Sequence, residues 1–276
     1  MIGQEKNLKM VDNLIAHGYP RFTLLSGPVG SGKRTLAKII SKKLNASIID
    51  SSLKVDDVRN ITRLAYKHRG KMVYLFADAN TMSTAAKNAL LKVIEEPPNF
   101  SYFIMTTPQT MLSTINSRAF NLTMEPYSRS QLYEYIEVVY TDTTAVQAEL
   151  ICNIATTPGD IDLLVVYDVE FFYNYIYKVV TGIHKADGVN AFKITDKLKL
   201  KKDGEGWDLR LFFKAVSNVY LEVLKEDGFS KAIYRCLQCT SSYNSELDIK
   251  GINLSFLVDA WILQLRLIWR TCETIT

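Results

Sequence analysis

The sequence predicts an α/β fold: a doubly wound domain on a five-stranded parallel sheet, followed by segments that are helical throughout. Three observations carry that reading. Five short β-rich runs alternate with amphipathic helical stretches across residues 1–125. The first of these runs opens into a glycine-rich loop and then a helix. After Glu125-Pro126 the strand-like runs cease and helical periodicity takes over.

The elements follow in order. Leu8, Val11, Leu14 and Ile15 form the apolar stripe of a first helix, and Phe22-Thr-Leu-Leu-Ser26 reads as the first strand. Leu36, Ile39, Ile40 and Leu44 mark a second helix before the strand Ser47-Ile-Ile-Asp50. Val58, Ile61, Leu64 and Ala65 mark a third, before Met72-Val-Tyr-Leu-Phe76. Ala86, Ala89, Leu90 and Val93 give a fourth stripe at helical spacing. Pro97-Pro98 ends it, because proline offers no amide donor and clashes with the preceding turn. Tyr102-Phe-Ile-Met-Thr106 and the weaker Phe120-Asn-Leu-Thr-Met124 complete the set. Strands separated by helices pair in parallel, with crossovers covering both faces of the sheet.

Downstream, Ser128 or Ser130 is the expected cap of a helix carrying Leu132, Tyr135, Ile136 and Val139. Thr143 is expected to cap the next, with Val146, Leu150, Ile151 and Ile154 inside. Pro158-Gly159 reads as a break, with the pattern resuming at Asp160. This divides the chain into a P-loop domain over residues 1–125, a small helical domain over 126–168 and an all-helical domain over 169–276. In the last, the stripes Leu209–Leu224 and Leu254–Trp269 suit a bundle that packs on partners, and a Gly- and Lys-rich stretch interrupts at Lys197–Gly206.

Composition sets outer bounds. Of 276 residues, 47% are hydrophobic and 22% charged, the balance of an ordinary globular chain. A net charge of +4 permits contact with a nucleic-acid backbone without arguing for it. The cysteines, Cys152, Cys236, Cys239 and Cys272, form no zinc set, so no zinc is expected, and Cys236/Cys239 read as helical core packing in a reducing compartment. Met1 runs straight into polar residues, and Leu254–Trp269 is interrupted by Asp259, Gln264 and Arg266, too short and polar for a bilayer. The expectation is a cytoplasmic protein without membrane partners. His17, His68 and His184 lie far apart with no partner pattern, and no hydrolase triad or dinucleotide fingerprint is visible.

The chemistry concentrates in Gly27-Pro28-Val29-Gly30-Ser31-Gly32-Lys33-Arg34-Thr35, between a strand and a helix, which is the setting of a phosphate-binding P-loop. Glycines let successive amides turn inward onto phosphate oxygens, the helix start adds its positive end, and the lysine reaches the terminal phosphates. The consensus then places Ser or Thr after the lysine to ligate Mg²⁺. Arg34 stands there instead, with no lone-pair oxygen, and Thr35 comes one residue late. A second motif would end a strand in Asp-Glu, for the metal shell and the attacking water. Here Met72–Phe76 ends in Ala77-Asp78, so either register loses one catalytic group.

These stretches resemble the bacterial clamp-loader ATPases of the AAA+ class, and within them the delta-prime subunits of DNA polymerase III. Ile2-Gly-Gln4 is similar to the opening motif near the adenine pocket, and Val55-Asp-Asp-Val-Arg59 to the helix before the second motif. The most specific match is Ala86-Lys-Asn-Ala-Leu-Leu-Lys-Val-Ile-Glu-Glu-Pro-Pro98. Phe103-Ile-Met-Thr-Thr107 resembles the sensor strand, with Thr107 or Thr106 near the γ-phosphate, and Ser117-Arg118-Ala119 the Ser-Arg-Cys motif. The resemblance is specific over residues 1–125 and only topological beyond the small helical domain.

It implies a P-loop AAA+ domain, a helical lid and a C-terminal collar. It implies ATP at the P-loop, Arg118 as an arginine finger offered to a neighbour's ATP, and Asp78 as a degenerate acidic motif. Implied partners are other clamp-loader subunits, the sliding clamp and, through the complex, primer–template DNA. Gly159-Asp-Ile-Asp162 carries an acid where active members place a sensing arginine. With Arg34 and Ala77, that points to a subunit that contributes a finger but does not itself hydrolyse ATP. The competing expectations are an active, self-assembling loader ATPase and a nucleotide-binding scaffold with no role at DNA. For DNA contact, Lys197, Lys199, Lys201 and Lys202 form one basic run, and Arg59, Arg63, Lys67 and Arg69 a helix face that a solvated surface explains.

Overall fold

The structure is a computed structural model and describes residues 1–108, 111, 113–183, 207–226, 228, 230–247 and 252–273. His184 and the lysine run 197–202 lie outside the described residues. By contact density the chain forms two units, one of Met1–Tyr135 with Thr157–Gly159 and one of Ile136–Thr156 with Asp160–Thr276.

In the first unit, α1 (Glu5–His17), α2 (Lys33–Lys43), α3 (Val55–Lys67), α4 (Thr84–Glu95) and α5 (Ser113–Asn116) alternate with β1 (Phe22–Ser26), β2 (Ser47–Asp50), β3 (Met72–Phe76), β4 (Ser101–Thr107) and β5 (Phe120–Thr123). The strands lie in the order β2-β3-β4-β1-β5, with every pairing parallel. The expected five-stranded parallel sheet is therefore present, and each strand falls within a residue or so of the run that predicted it.

Side-chain parity explains the layers. Met72, Tyr74 and Phe76 of β3, with Phe103 and Met105 of β4, face a cluster containing Val58 and Ala65 of α3 and Leu90 and Val93 of α4. Val73 and Leu75, with Tyr102 and Ile104, face the opposite cluster, with Val11 of α1 and Leu36 and Ile40 of α2. Strands buried on both sides read as near-continuous apolar runs, and β3 and β4 are buried at every position, with Ser101, Thr106 and Thr107 the polar exceptions at the ends of β4. β2 is a short, largely exposed edge strand. Ser83 caps α4 by accepting the Ala86 amide at 3.2 Å.

Beyond the sheet come α6 (Arg129–Val139), α7 (Ala145–Ile154), α8 (Pro158–Leu164), α9 (Val169–Gly182), α10 (Leu209–Glu226), α11 (Lys231–Glu246) and α12 (Leu254–Glu273). Ser128, not Ser130, caps α6: its hydroxyl accepts the Gln131 amide at 3.3 Å while Gln131 Oε1 accepts its own amide at 2.9 Å. Two expectations are corrected. Thr144, not Thr143, caps α7, because Gln147 three residues on completes a reciprocal capping box. Pro158 begins α8 instead of breaking it, since at the first helical position its missing N–H is no loss and its fixed φ suits the helix.

In the second unit α10 packs against α7, α9 and α11, and α11 against α12. Its core contains an aromatic cluster. Trp261 is fully buried and meets Phe212 and Phe213 edge-on, with ring centroids 5.7 and 5.3 Å apart. Its Nε1–H donates to Thr240 Oγ1 at 3.1 Å. Cys236 is fully buried in this core, and burial pushes its thiol up to about 12. That matches its reading as a packing residue.

Among the described residues, no group of three or more His, Cys, Asp or Glu is placed to hold a metal ion. No helix among them is long and apolar enough to cross a membrane.

Candidate functional site

β1 lies between β4 and β5, so the chain leaves its carboxyl end where the sheet's order reverses, the place where open α/β sheets bind ligands. The loop Gly27–Gly32 starts there. Gly27, Gly30 and Gly32 all have positive φ, at 149°, 77° and 88°. Gly30 shows why glycine is required: a Cβ would lie 2.7 Å from Thr157 Oγ1 and 2.9 Å from Gly159 Cα. The Gly159 amide donates to the Gly30 carbonyl at 3.0 Å, and Thr157 Oγ1 donates to the Val29 carbonyl at 3.2 Å. Two loop carbonyls are thereby engaged from outside. Gly32, in the left-handed region, precedes α2, whose first residue is Lys33.

Lys33 is buried, and its Nζ donates to the Gly27 and Pro28 carbonyls at 2.7 and 2.6 Å. Burial lowers its pKa to about 8, partly opposed by the nearby Asp78 carboxylate. Ser31 Oγ donates to the Pro28 carbonyl at 2.8 Å, closing the loop on itself. Pro28 and Val29 at the loop's crest and Thr35 on α2 are exposed.

Asp78 lies two residues past β3 with φ 54° and ψ 45°, a left-handed conformation that costs a non-glycine residue energy. What holds it is Thr106 Oγ1, which accepts the Asp78 amide at 3.0 Å. The side chain then meets Arg34, with Nη2 3.2 Å from Asp78 Oδ2. Lys33, Arg34, Asp78 and Thr106 thus gather at one end of the sheet. Thr107 is fully buried on β4, opposite Ser26 of β1, and its carbonyl accepts the Gly27 amide at 3.1 Å. Of the two sensor candidates, Thr106 is the one whose hydroxyl reaches the acidic motif.

Arg118 does not join this group. Its Nε and Nη2 each lie 2.8 Å from Glu95 Oε1, and its Nη1 donates to the Thr114 carbonyl at 2.9 Å. Asp162, the acid at the expected arginine position, accepts the Tyr140 hydroxyl at 2.8 Å.

Sequence reasoning missed several supports. Tyr127 donates its hydroxyl to the Ser31 carbonyl at 3.0 Å, pinning the loop from beyond β5. Gln4, fully buried, pairs both its amide atoms with the backbone of Glu125, at 2.9 and 3.0 Å. Asn7 adds bonds to Gln4 Oε1 and the Thr123 carbonyl at 2.7 and 3.0 Å, tying α1 to the end of β5. Gln4 was legible only as part of a motif, and Tyr127 carried no signal.

Comparison with known proteins places these features. A family model described as DNA polymerase III, delta subunit, matches residues 47–128. DNA polymerase III subunit gamma of Buchnera aphidicola is 30% identical over 172 residues, covering 50% of this chain and 47% of the relative. Subunit tau of Bacillus subtilis is 32% identical over 152 residues, 43% of this chain and 27% of the relative. The chain spans about half or less of the length of these curated relatives. Among solved structures, a DNA polymerase III gamma subunit-related protein from Thermotoga maritima aligns with a TM-score of 0.51 at 16% identity, covering 94% of this chain and 98% of that one. A RuvB variant from the same organism gives 0.51 at 21%, covering 96% and 89%. At such identities these two support the fold alone.

Proposed function

We propose that this chain, a member of the bacterial clamp-loader AAA+ family, serves in the loader as a delta-prime-like subunit that binds nucleotide without hydrolysing it and completes a neighbour's active site. The observation that carries this reading is the Arg34–Asp78 ion pair, which puts a guanidinium where a hydrolytic site places its metal-binding hydroxyl and engages the one acid of the second motif. Ala77, before Asp78, offers no side-chain oxygen.

The residues fit the phosphates of ATP and do not fit Mg²⁺. Three positive-φ glycines, the start of the eleven-residue α2 and the Lys33 ammonium suit an anion. A guanidinium where the metal's hydroxyl ligand belongs, already paired with the nearby carboxylate, suits no divalent cation. Arg118 would be the finger given in trans, residues 126–168 the lid and 169–276 the collar that joins other loader subunits. Sliding clamp and primer–template DNA would be met through that complex, in the cytoplasm.

Similarity to gamma and tau subunits favours a second reading, a self-assembling loader ATPase. Arg34, Ala77 and Asp162 weigh against it. Reconstitution separates the two. The purified chain is expected to show no ATP turnover alone, and to support clamp- and primed-DNA-dependent turnover when mixed with a partner loader ATPase. Vigorous turnover by the chain alone would establish the second reading.

A pH dependence follows from Lys33. Its folded pKa of about 8 lies below the ordinary 10.5, so the unfolded chain holds this proton more tightly. The contribution of Lys33 to stability therefore rises with pH from about 8 to 10.5. Phosphate affinity moves the other way, because only the ammonium form attracts the anion. Nucleotide affinity should be flat below about pH 8 and fall above it, by up to about tenfold per pH unit. Lys33→Met should bind weakly and lose that dependence. A flat wild-type titration between about pH 7 and about pH 9.5 would show that the Lys33 ammonium is not depressed to about 8, and undiminished binding by Lys33→Met would exclude the role itself.

A further inference from the structure

We infer that Arg34 takes the place of the metal, so that this P-loop binds the nucleotide's phosphates as a metal-free complex. The inference rests on the nucleotide-binding reading above and goes beyond it in naming the ionic form of the ligand.

The residue after the P-loop lysine is where a hydroxyl would hold a divalent cation against the phosphates. In this chain the position carries a guanidinium, which is permanently charged, planar and able to donate two parallel hydrogen bonds to phosphate oxygens. Its placement is defined. Arg34 is the second residue of α2, directly after the buried Lys33, and its Nη2 lies 3.2 Å from Asp78 Oδ2. Asp78 is fixed in turn, its amide bonded to Thr106 Oγ1 at 3.0 Å. Two cations and one carboxylate therefore share the end of the loop.

That arrangement disfavours a divalent ion on two counts. The guanidinium is a like charge at the ligand position, and the nearby carboxylate is already engaged by it. The same arrangement attracts a polyphosphate. Arg34 is exposed, with 61% of its side chain accessible, so it can turn from Asp78 to an incoming phosphate with little cost in burial. Asp78 then acts as a counterion that parks the guanidinium beside the loop until the ligand arrives.

The test is equilibrium binding of a fluorescent ATP analogue to the purified full chain, in excess EDTA and in excess Mg²⁺. Equal or tighter binding in EDTA is expected, since Mg²⁺ would mask the phosphate charge that Arg34 reads. Arg34→Thr should lose roughly tenfold in EDTA and become Mg²⁺-dependent. Asp78→Asn discriminates independently: it releases Arg34 and should tighten metal-free binding, whereas in a metal-dependent site loss of this acid would weaken it. Wild-type binding that requires Mg²⁺ overturns the metal-free inference and leaves the nucleotide-binding reading standing. Absence of binding in both buffers overturns the two together.

Discussion

Arg118→Ala, assembled with its partner subunits, should lower ATP turnover at the neighbouring site on the order of 10³-fold, while subunit assembly and ATP binding by this chain stay intact. The size follows from the charge that develops on a transferring phosphoryl group, which a guanidinium stabilises only when it is aimed there in advance. Arg118 is aimed. It lies two residues past α5, with Nη1 on the Thr114 carbonyl at 2.9 Å, and Glu95 at the end of α4 accepts Nε at 2.8 Å. Acting in trans requires exchanging Glu95 for a phosphate. Both side chains are partly exposed, at 38% and 50%, and an exposed ion pair is worth only about 0–1 kcal/mol. A thousandfold rate effect corresponds to about 4 kcal/mol, so parting this ion pair would cancel only a small part of the effect expected. Arg118→Lys should restore little, because the ammonium keeps the charge but loses the planar fork. Glu95→Gln should change turnover only a few-fold. Unaltered turnover in a fully assembled Arg118→Ala complex would remove Arg118 from the chemistry and leave it a surface residue tying α4 to α5.

Which parts of this were legible in the sequence depends on how far the cause of each feature reaches along the chain. β3 and β4 were readable because both faces of each are buried, so β3 is apolar throughout and β4 is apolar from Tyr102 to Met105. The P-loop was readable because its demand for positive φ forces glycine at fixed spacing. The order in which strands pair was not, since β1 joins β4 and β5 through contacts about 80 to 100 residues apart. Local hydroxyls were ambiguous at the one-residue level. Thr143 and Thr144 are both good caps, and only Gln147, at the right distance from Thr144, decides between them. Pro158 was misread because proline ends a helix from within yet starts one well.

At the site, residue types were legible and their partners were not. The sequence places Arg34 where the P-loop consensus has a hydroxyl, but nothing in it pairs that guanidinium with Asp78, 44 positions on. The pairing changes the chemistry: a missing ligand becomes a resident cation. Likewise Arg118 is readable as a candidate finger, while Glu95 sits unnoticed within the stretch that carried the strongest family likeness. The Tyr127 bond to the loop spans 96 positions and belongs to no motif.

Trp261→Ala should destabilise the second unit by about 3–5 kcal/mol, the usual cost of deleting a fully buried large aromatic. The indole is the largest fully buried side chain described, and it bridges α12 to α10 through edge contacts with Phe212 and Phe213 and to α11 through Thr240. Each aromatic pair adds about 0.5–1.5 kcal/mol beyond burial. Trp261→Phe isolates the polar part. It keeps most of the ring contact and removes the donor to Thr240 Oγ1, whose own proton still goes to the Cys236 carbonyl at 2.8 Å, so about 1 kcal/mol should be lost. Denaturant unfolding of the full chain, followed by far-ultraviolet dichroism, would measure both. If residues 169–276 form the collar, the alanine variant should also fail to enter the loader complex while its P-loop still binds nucleotide. A loss under about 1 kcal/mol for Trp261→Ala would mean that the bundle repacks around the cavity and that its cohesion rests on the helix faces alone. Simultaneous loss of assembly and nucleotide binding would instead mean that the two units fold as one cooperative body, so that the collar and the P-loop could not be perturbed separately.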